Sequence, residues 1–292
     1  MISPAQLSEL YRQACEVELQ AFKPGNVSIY ADGHDMTVAD FRISAEVSAA
    51  PLCNPDYCLG EKIFYAVKST REAVGCNTNL GIILLCAPLI QAISQRCSDM
   101  TLRQALQQVL STTTIADADW TFKAIAFASP GGLGASDQQD VHDKAAVTLT
   151  EAMALAGTKD RIAYQYITDY RDIFDFSVFV YYNALSRWGD RNWAAVAVYA
   201  DLLCHNPDSH IERKYGNQYS EMVADKMMLV SKALSDTDRP DSIMPLLYCI
   251  DHDFKSKNVN PGTTADMTVA TVFAVFLEDF IRSSNKFVQT NK

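Results

Sequence analysis

Apolar residues recur at three- and four-residue spacing along most of this chain, and this repeat limits its fold more than any other feature. Within residues 59–74, for example, Ile63, Ala66, Val67 and Val74 share one helical face, while charged residues occupy the others. Strand-like alternation is scarce, and no series of βα units is present. The sequence therefore predicts an all-α protein.

The repeat predicts roughly ten or more helices. They cover residues 4–21, 59–74, 80–97, 101–110, 143–156, 160–187, 192–204, 217–234, 241–254 and 263–283. Three long loops, 22–40, 48–60 and 127–142, interrupt them, the last after an Ala- and Phe-rich helical sequence. No Gly- or Pro-rich linker divides the chain, so we predict one domain over residues 1–292. The expected architecture is a single-domain multi-helix bundle whose long polar loops form one cleft.

The charge balance limits the partners. The chain has 35 acidic and 25 basic residues, a net charge of −10 and an isoelectric point of about 4.9. Proteins that bind nucleic acid usually carry a basic face, so we expect no nucleic-acid partner. An acidic protein that binds a polyanion needs local cations, helix termini or a divalent cation, which favours magnesium.

Targeting signals and membrane segments are not predicted. The N-terminal residues lack the basic region and apolar stretch of a signal peptide. The apolar runs are far shorter than the ~20 residues that a membrane-spanning helix needs. The eight cysteines form no CxxC pair and mostly lie in apolar helical patterns, as reduced thiols do. We therefore expect a soluble, cytoplasmic protein with no membrane partner.

Three polar turns that contain glycine lie next to strongly apolar helical sequence: residues 23–26, 75–81 and 257–267. Backbone amides at helix N-termini bind phosphates, and short polar side chains beside them hold a metal ion or a sugar hydroxyl. Together the turns indicate an enzyme that handles a nucleotide polyphosphate. A purely structural role is the alternative. Lys23 could be a solvated lysine in a turn that ends a helix, and Thr78 or Asn79 could simply cap the next helix.

Carboxylates and cations accompany these turns. Asp208 is a candidate magnesium ligand, and Arg213 and Lys214 offer positive charge to phosphates. Asp266 falls in the first turn of a helix, where a carboxylate would repel a bound anion unless a metal ion lay between them. His34 lies between two carboxylates in a polar loop, a favoured position for function. The glycines of residues 129–137 lack the strand and the Lys-Ser/Thr ending of a nucleotide-binding loop.

Five of these segments resemble the triphosphoribosyl-dephospho-coenzyme A synthase family, which is associated with the prosthetic groups of citrate lyase and malonate decarboxylase. The order and approximate spacing of the segments match along nearly the whole chain. They are Lys23-Pro24-Gly25, Gly33-His34-Asp35-Met36, Gly75-x-Asn77-Thr78 with Gly81, residues 208–216 and Asn260-Pro261-Gly262-Thr263-Thr264-Ala265-Asp266.

The resemblance implies an all-α enzyme that moves the 5-triphosphoribosyl group of ATP onto a ribose hydroxyl of 3′-dephospho-coenzyme A. Adenine leaves, an α-glycosidic bond forms, and Mg²⁺ assists. By analogy, one group deprotonates the acceptor and another protonates the departing base. The implied catalytic residues are Asp35, Asp208 and Asp266, with Asp208 and Asp266 also as metal ligands. The implied substrate-binding residues are Lys23, Arg213 and Lys214 for the triphosphate, Asn77 and Thr78 for the ribose, and Gly25, Asn26, His34, Asn79, Asn260, Gly262, Thr263 and Thr264.

Two departures from the family pattern bear on the substrates. Asn79-Leu80 stands where the family has His-Lys, and His34 lies one position nearer Asp35 than usual. The chain resembles a divergent subgroup that we associate with organisms using tetrahydromethanopterin-type one-carbon carriers. Those carriers contain an α-ribosyl phosphate unit. An alternative reaction is therefore α-phosphoribosyl transfer, from ATP or phosphoribosyl pyrophosphate, to a precursor of such a cofactor.

Two further hypotheses remain open at this point. The same Mg²⁺-assisted site could use water as the acceptor and hydrolyse an N-glycosidic bond, or the chain could be a non-catalytic helical protein that binds a nucleotide. The sequence also leaves open whether the protein is a monomer or a homodimer, because Tyr181, Tyr182, Trp188 and Trp193 fit a core or an interface equally well. For the transferase, the expected ligands are a small-molecule nucleotide donor and a hydroxyl acceptor.

Overall fold

A computed structural model describes residues 2–31, 36–129, 141 and 143–290, with side chains described to residue 284. These residues form α-helices and turns, and the β-structure among them is one bridge between Ser28 and Ala31. The α-helices are α1 (Pro4–Gln20), α2 (Val38–Leu52), α3 (Leu59–Val74), α4 (Leu80–Gln95), α5 (Leu102–Ser111), α6 (Ile115–Ala128), α7 (Leu149–Ala156), α8 (Arg161–Ile167), α9 (Val178–Trp188), α10 (Arg191–His205), α11 (Ser209–Tyr215), α12 (Ser220–Ser235), α13 (Met244–Ser256) and α14 (Gly262–Thr290). The all-α prediction is confirmed.

Two helices, α4 and α14, form the centre of the bundle. Nearly every side chain of α4 is buried, and α14 packs against α1, α4, α9 and α10. Pro88 lies inside α4 and has no amide hydrogen to give to the carbonyl of Leu84. The hydroxyl of Tyr166 donates to that carbonyl instead, at 2.7 Å, and Tyr170 donates to the carbonyl of Leu85 at 2.9 Å. These buried bonds fix α8 and the segment after it against the central helix.

Helix α2 occupies sequence for which we predict no helix. Its buried residues are mostly small or polar, including Ser44, Ala45 and Ser48, so the apolar stripe that marks the other helices is weak. A capping box begins it, because the amide of Thr37 donates to Asp40 and the amide of Asp40 donates back to Thr37. The predicted loops 22–40 and 48–60 are correspondingly shorter.

The predicted helix 160–187 is wrong as a single element. Helix α8 ends at Ile167, and Asp169 and Tyr170 then adopt positive φ angles of 53° and 56°. A π-helical segment, Asp172–Ser177, follows and leads directly into α9. Similarly, the predicted helix 143–156 begins only at Leu149. Residues with positive φ break a helix without disturbing its apolar spacing, so the repeat alone does not reveal them.

All eight cysteines are free thiols, as predicted. Within the described ranges, every helix is too short or too polar to cross a membrane. Most of the buried apolar side chains of α1 to α14 belong to one large hydrophobic cluster. The assignment of residues 1–292 to one domain stays a prediction.

Candidate active site

The N-termini of α4, α8, α11 and α14 meet at one end of the central helices. Asp208, the residue before α11, accepts hydrogen bonds from the amide and the hydroxyl of Thr264 in α14, both at 2.7 Å. The amide of Arg161, which begins α8, donates to the hydroxyl of Ser209 at 2.7 Å. Helix N-termini carry unpaired amides and partial positive charge, so this arrangement suits an anionic ligand.

Asp208 is buried and fully occupied with these helix ends. One carboxylate oxygen accepts from Thr264, and the other accepts from the amides of His210 and Ile211. Burial raises the pKa of Asp208 above its usual range, although the bonds from Thr264 oppose this shift. Burial also lowers the pKa of the neighbouring His210. The geometry is that of an N-cap that also ties α11 to α14.

Asp266 has different surroundings, because no described residue donates a hydrogen bond to its carboxylate. The carboxylate lies over the N-terminal turn of α4, where a Cβ added to Gly81 would be only 2.0 Å from Oδ2 of Asp266. Glycine at residue 81 therefore makes the space that the carboxylate occupies. Burial first, and then the nearby Glu18 and Asp208 carboxylates, raise the pKa of Asp266 well above its usual range. Such a group holds a proton at a pH where an ordinary aspartate does not.

The turn at residues 24–26 joins this end of the bundle to residues from the other end of the sequence. The amide of Gly25 donates to Asp251 at 2.8 Å, and the side-chain amide of Asn26 donates to Asn260 at 2.7 Å. Gly25 has a φ of 84°, and a Cβ there would lie 2.7 Å from the carbonyl of Val259. The positive φ and the close approach both require glycine. The turn therefore positions the segment that leads into α14.

The chain is similar over residues 4–284 to the CitG family model, described as ATP:dephospho-CoA triphosphoribosyl transferase. The chain belongs to this family. Among solved structures it is similar to a protein from Archaeoglobus fulgidus described as a triphosphoribosyl-dephospho-CoA synthase, with 21% identity and a TM-score of 0.63. That match covers 80% of this chain and 97% of the other. A search of curated proteins gives no significant match. The family carries out a pentosyl transfer from ATP to dephospho-coenzyme A, and the predicted enzyme class is thereby confirmed.

Lys23 of the family-like Lys-Pro-Gly turn does not reach the site surface. Its side chain has no exposed area, and its ammonium lies 3.0 Å from the Glu18 carboxylate. The ammonium also donates to the carbonyls of Glu18 and Val27, at 2.9 and 2.7 Å. All three donors of the ammonium are thus engaged inside the protein. This placement gives no support to the predicted contact of Lys23 with a triphosphate.

The residues that precede α4 bond either with the start of that helix or with α2. Asn77 accepts a hydrogen bond from the amide of Leu80, and Thr78 bonds with Ser44 of α2. The side-chain amide of Asn79 donates to the carbonyl of Ser44, at 3.4 Å. The structure therefore joins Asn79 and Thr78, one of the two predicted ribose-binding residues, to α2, for which the sequence predicts no helix.

The predicted cations of α11 differ in exposure. Arg213 is half-buried and pairs with Asp160, the residue that caps α8, whereas Lys214 is exposed and lies over the ring of Tyr215. Gly262 begins α14 beside the His210 ring. The adjacent Thr263 side chain is buried, as is that of Thr264. The structure thus brings the predicted segments 208–216 and 260–266 together.

Asp35 and His34 lie outside the described residues, and so does most of the glycine-rich loop that begins at residue 130. Glu18 and Asp160 are not among the predicted site residues, yet both carboxylates contribute to the raised pKa of Asp266. Glu18 occurs in an ordinary helical pattern, and Asp160 precedes a helix as many caps do. Their sequence contexts therefore carry no signal that separates them from structural residues.

Proposed function

We propose that this protein transfers the 5-triphosphoribosyl group of ATP to a hydroxyl group of 3′-dephospho-coenzyme A, at the site where the N-termini of α4 and α14 meet. Membership of the family supports the reaction class. The observation that supports the location is the carboxylate of Asp266, which lies over Gly81 with no hydrogen bond from a described residue. A group so placed is available to a substrate, whereas Asp208 is engaged in capping.

In this proposal the acceptor hydroxyl oxygen attacks the anomeric carbon of ATP, and the bond from that carbon to the adenine nitrogen breaks. Asp266 gives its proton to the departing adenine, and a base takes the proton of the acceptor hydroxyl. Attack on the face opposite the base inverts the configuration and gives an α-glycosidic bond. The raised pKa of Asp266 fits the role of acid, because burial and neighbouring carboxylates favour its protonated form. Asp35, which the family resemblance implies to be catalytic, is our candidate for the base.

Positive charge for the triphosphate would come from Arg213, Lys214 and the amides that begin α14. Magnesium fits this scheme as the partner of ATP. Within the described ranges, no three Asp, Glu, His or Cys side chains gather closely enough to hold a metal ion. The predicted ligands Asp208 and Asp266 therefore do not make a resident magnesium site by themselves, and phosphate oxygens would supply most of the ligands. The substrates and reduced thiols also fit a cytoplasmic enzyme.

The test is free adenine, measured by chromatography after incubation of the enzyme with Mg-ATP, with and without 3′-dephospho-coenzyme A. We expect adenine only when the acceptor is present, together with one equivalent of the triphosphoribosylated product. Adenine release that does not depend on the acceptor would instead identify an N-glycoside hydrolase. Nucleotide binding without turnover would indicate a non-catalytic protein.

A second candidate is α-phosphoribosyl transfer to a precursor of a tetrahydromethanopterin-type cofactor. It is favoured by Asn79 and Leu80, both buried at the start of α4, where the family resemblance leads us to expect His-Lys. A missing cation beside the donor site suits a donor with a different phosphate arrangement. Turnover of phosphoribosyl pyrophosphate with pterin precursors, in the absence of turnover with ATP, would establish this candidate over the first.

A further inference from the structure

A pocket of about 330 Å³ lies between α1 and α2, and Asn79 and Ile82 of α4 contribute to its lining. It adjoins the proposed acid, because Asn79 and Ile82 of its lining stand on either side of Gly81 in the chain, and the carboxylate of Asp266 lies over Gly81. A pocket of this size holds part of a nucleotide rather than the whole molecule. Nothing in the proposed reaction so far uses it.

The charged groups of this pocket leave hydrogen-bond acceptors in excess. Four carboxylates and two guanidinium groups line it. Arg42 donates two bonds to Glu16, at 3.0 and 2.7 Å, and Arg12 donates to Glu46 and Glu9. The ammonium of Lys23 pairs with the remaining carboxylate, Glu18. The donors are thus already paired and the net charge remains negative, while the carboxylates keep further lone pairs that can accept a hydrogen bond. A phosphate group is disfavoured there, while a neutral group that donates hydrogen bonds is favoured.

Asn79 adds an acceptor whose orientation is fixed. Its side-chain nitrogen faces the carbonyl of Ser44 at 3.4 Å and the hydroxyl of Ser48 at 3.3 Å. The Ser44 carbonyl can only accept, so the group that faces it must be the NH₂ and not the oxygen. The residue is only 4% exposed, and no described residue donates to its amide oxygen. That oxygen is left for a ligand.

We propose that this pocket binds the adenine base of a substrate nucleotide, with the exocyclic amine of the base donating to Asn79 and the lining carboxylates. Apolar surface for the ring comes from Phe41, Leu19 and Ile82. A hypoxanthine or guanine base presents a carbonyl oxygen at the same position, which these acceptors repel. The inference rests on the proposed function, because it places the departing base beside Asp266. Asn79 is then a residue that determines base specificity.

The test is equilibrium binding of ATP and of inosine triphosphate, which replaces the amine by a carbonyl. We expect the wild-type protein to bind inosine triphosphate about tenfold to a hundredfold more weakly than ATP, because buried acceptors then lack donors. Asn79→Leu should bring the two affinities to within about threefold of each other. Asn192→Leu removes a half-buried amide that bonds with Gln20 outside the pocket, and it should keep the wild-type preference.

Inorganic tripolyphosphate reports the phosphate subsite separately, and Asn79→Leu should leave its binding unchanged. A second variant, Ala45→Phe, fills the pocket from α2. It should weaken the binding of ATP by about tenfold or more without changing the binding of tripolyphosphate. Equal binding of ATP and inosine triphosphate to the wild-type protein overturns the proposal. So does an ATP affinity that both variants leave intact.

Both substrates carry adenine, so the variants are also tested with 3′-dephospho-coenzyme A. A loss confined to ATP assigns the pocket to the donor base, and a loss confined to dephospho-coenzyme A assigns it to the acceptor base. Transferase activity of the wild-type protein is measured separately. Turnover without base preference would contradict the proposed adenine pocket and support the proposed function. Base-selective binding without turnover would support the adenine pocket and contradict the proposed function.

Discussion

Replacing Gly81 by alanine is expected to inactivate the enzyme while leaving it folded. A Cβ at this position would lie 2.0 Å from Oδ2 and 2.5 Å from Cγ of Asp266. A relaxed carbon–oxygen contact needs about 3.3 Å, so the carboxylate must retreat by about 1 Å or more. A displacement of that size at a catalytic group costs about 10²-fold in rate. The expected loss is therefore mainly in kcat, measured as adenine formed from Mg-ATP with saturating acceptor.

The stability of Gly81→Ala should change little. Alanine is favoured over glycine in a helix by about 1 kcal/mol. This gain offsets much of the roughly 1–3 kcal/mol that an added methyl group costs in a packed site. The clash is also with the end of a side chain, which can rotate. Thermal unfolding followed by circular dichroism should therefore give a Tm close to that of the wild-type protein.

Gly60 provides a matched control, since it is the second residue of α3 just as Gly81 is the second residue of α4. A Cβ at Gly60 would lie 2.7 Å from both Cα and the carbonyl oxygen of Asp117 in α6. Backbone cannot rotate away, so we expect Gly60→Ala to lower the Tm while the folded fraction keeps its kcat. The prediction is wrong if Gly81→Ala keeps its activity within roughly threefold of wild type. It is also wrong if Gly81→Ala lowers the Tm while Gly60→Ala lowers kcat.

Three further predictions concern ionisable residues. Asp266→Asn should lower the rate by about 10²–10⁴-fold and keep the fold. In the wild type, Asp266 binds its proton more tightly in the folded than in the unfolded state. Its contribution to stability should therefore be lost as the pH rises from about 4 through the raised pKa of Asp266. Urea unfolding over that range should show a flatter pH profile for the variant. Lys23→Met leaves Glu18 buried without its cation and should lower the free energy of unfolding by about 3–5 kcal/mol. Lys68→Met breaks an exposed pair and should lower it by less than ~0.5 kcal/mol. Equal losses would contradict the assignment of Lys23 to the core. Asp208→Ala should lower the free energy of unfolding in urea by about 2–4 kcal/mol, because α11 loses its cap and the amide of Thr264 loses its partner. An unchanged urea midpoint would argue that Asp208 does not hold α11 against α14.

Apolar spacing predicts the helical class. The family resemblance puts residues 208–216 and 260–266 in one site, and the structure brings these two segments together. Helix α2 is missed because its buried face is built from residues such as Ser44 and Ala45, which carry no apolar signal. The break after Ile167 is missed because backbone angles, rather than composition, produce it. Periodicity reports which face of a helix is buried but not what the helix packs against.

The candidate site shows the same limit. Lys23 has the sequence context of a phosphate-binding lysine, yet Glu18, five residues earlier in the chain, draws its ammonium into the interior. The distinction between Asp208, which is engaged in capping, and Asp266, which is not, depends on Thr264 and Gly81. Those contacts join helices that are distant in sequence. A single sequence therefore gives candidate carboxylates, and the fold separates their roles.

The contacts around residues 24–26 have a consequence for the order in which the protein is completed during synthesis. Gly25 and Asn26 bond with Asp251 and Asn260, which are translated more than 200 residues later, and α14 supplies Asp266 later still. The turn at residues 24–26 must therefore wait for α13 and the segment before α14 before its partners exist. A nascent chain that stops short of α14 lacks both the central packing of the bundle and the proposed acid. The turn consequently acquires its final geometry only after residues 251–260 have been translated, and pairings between such distant segments form slowly.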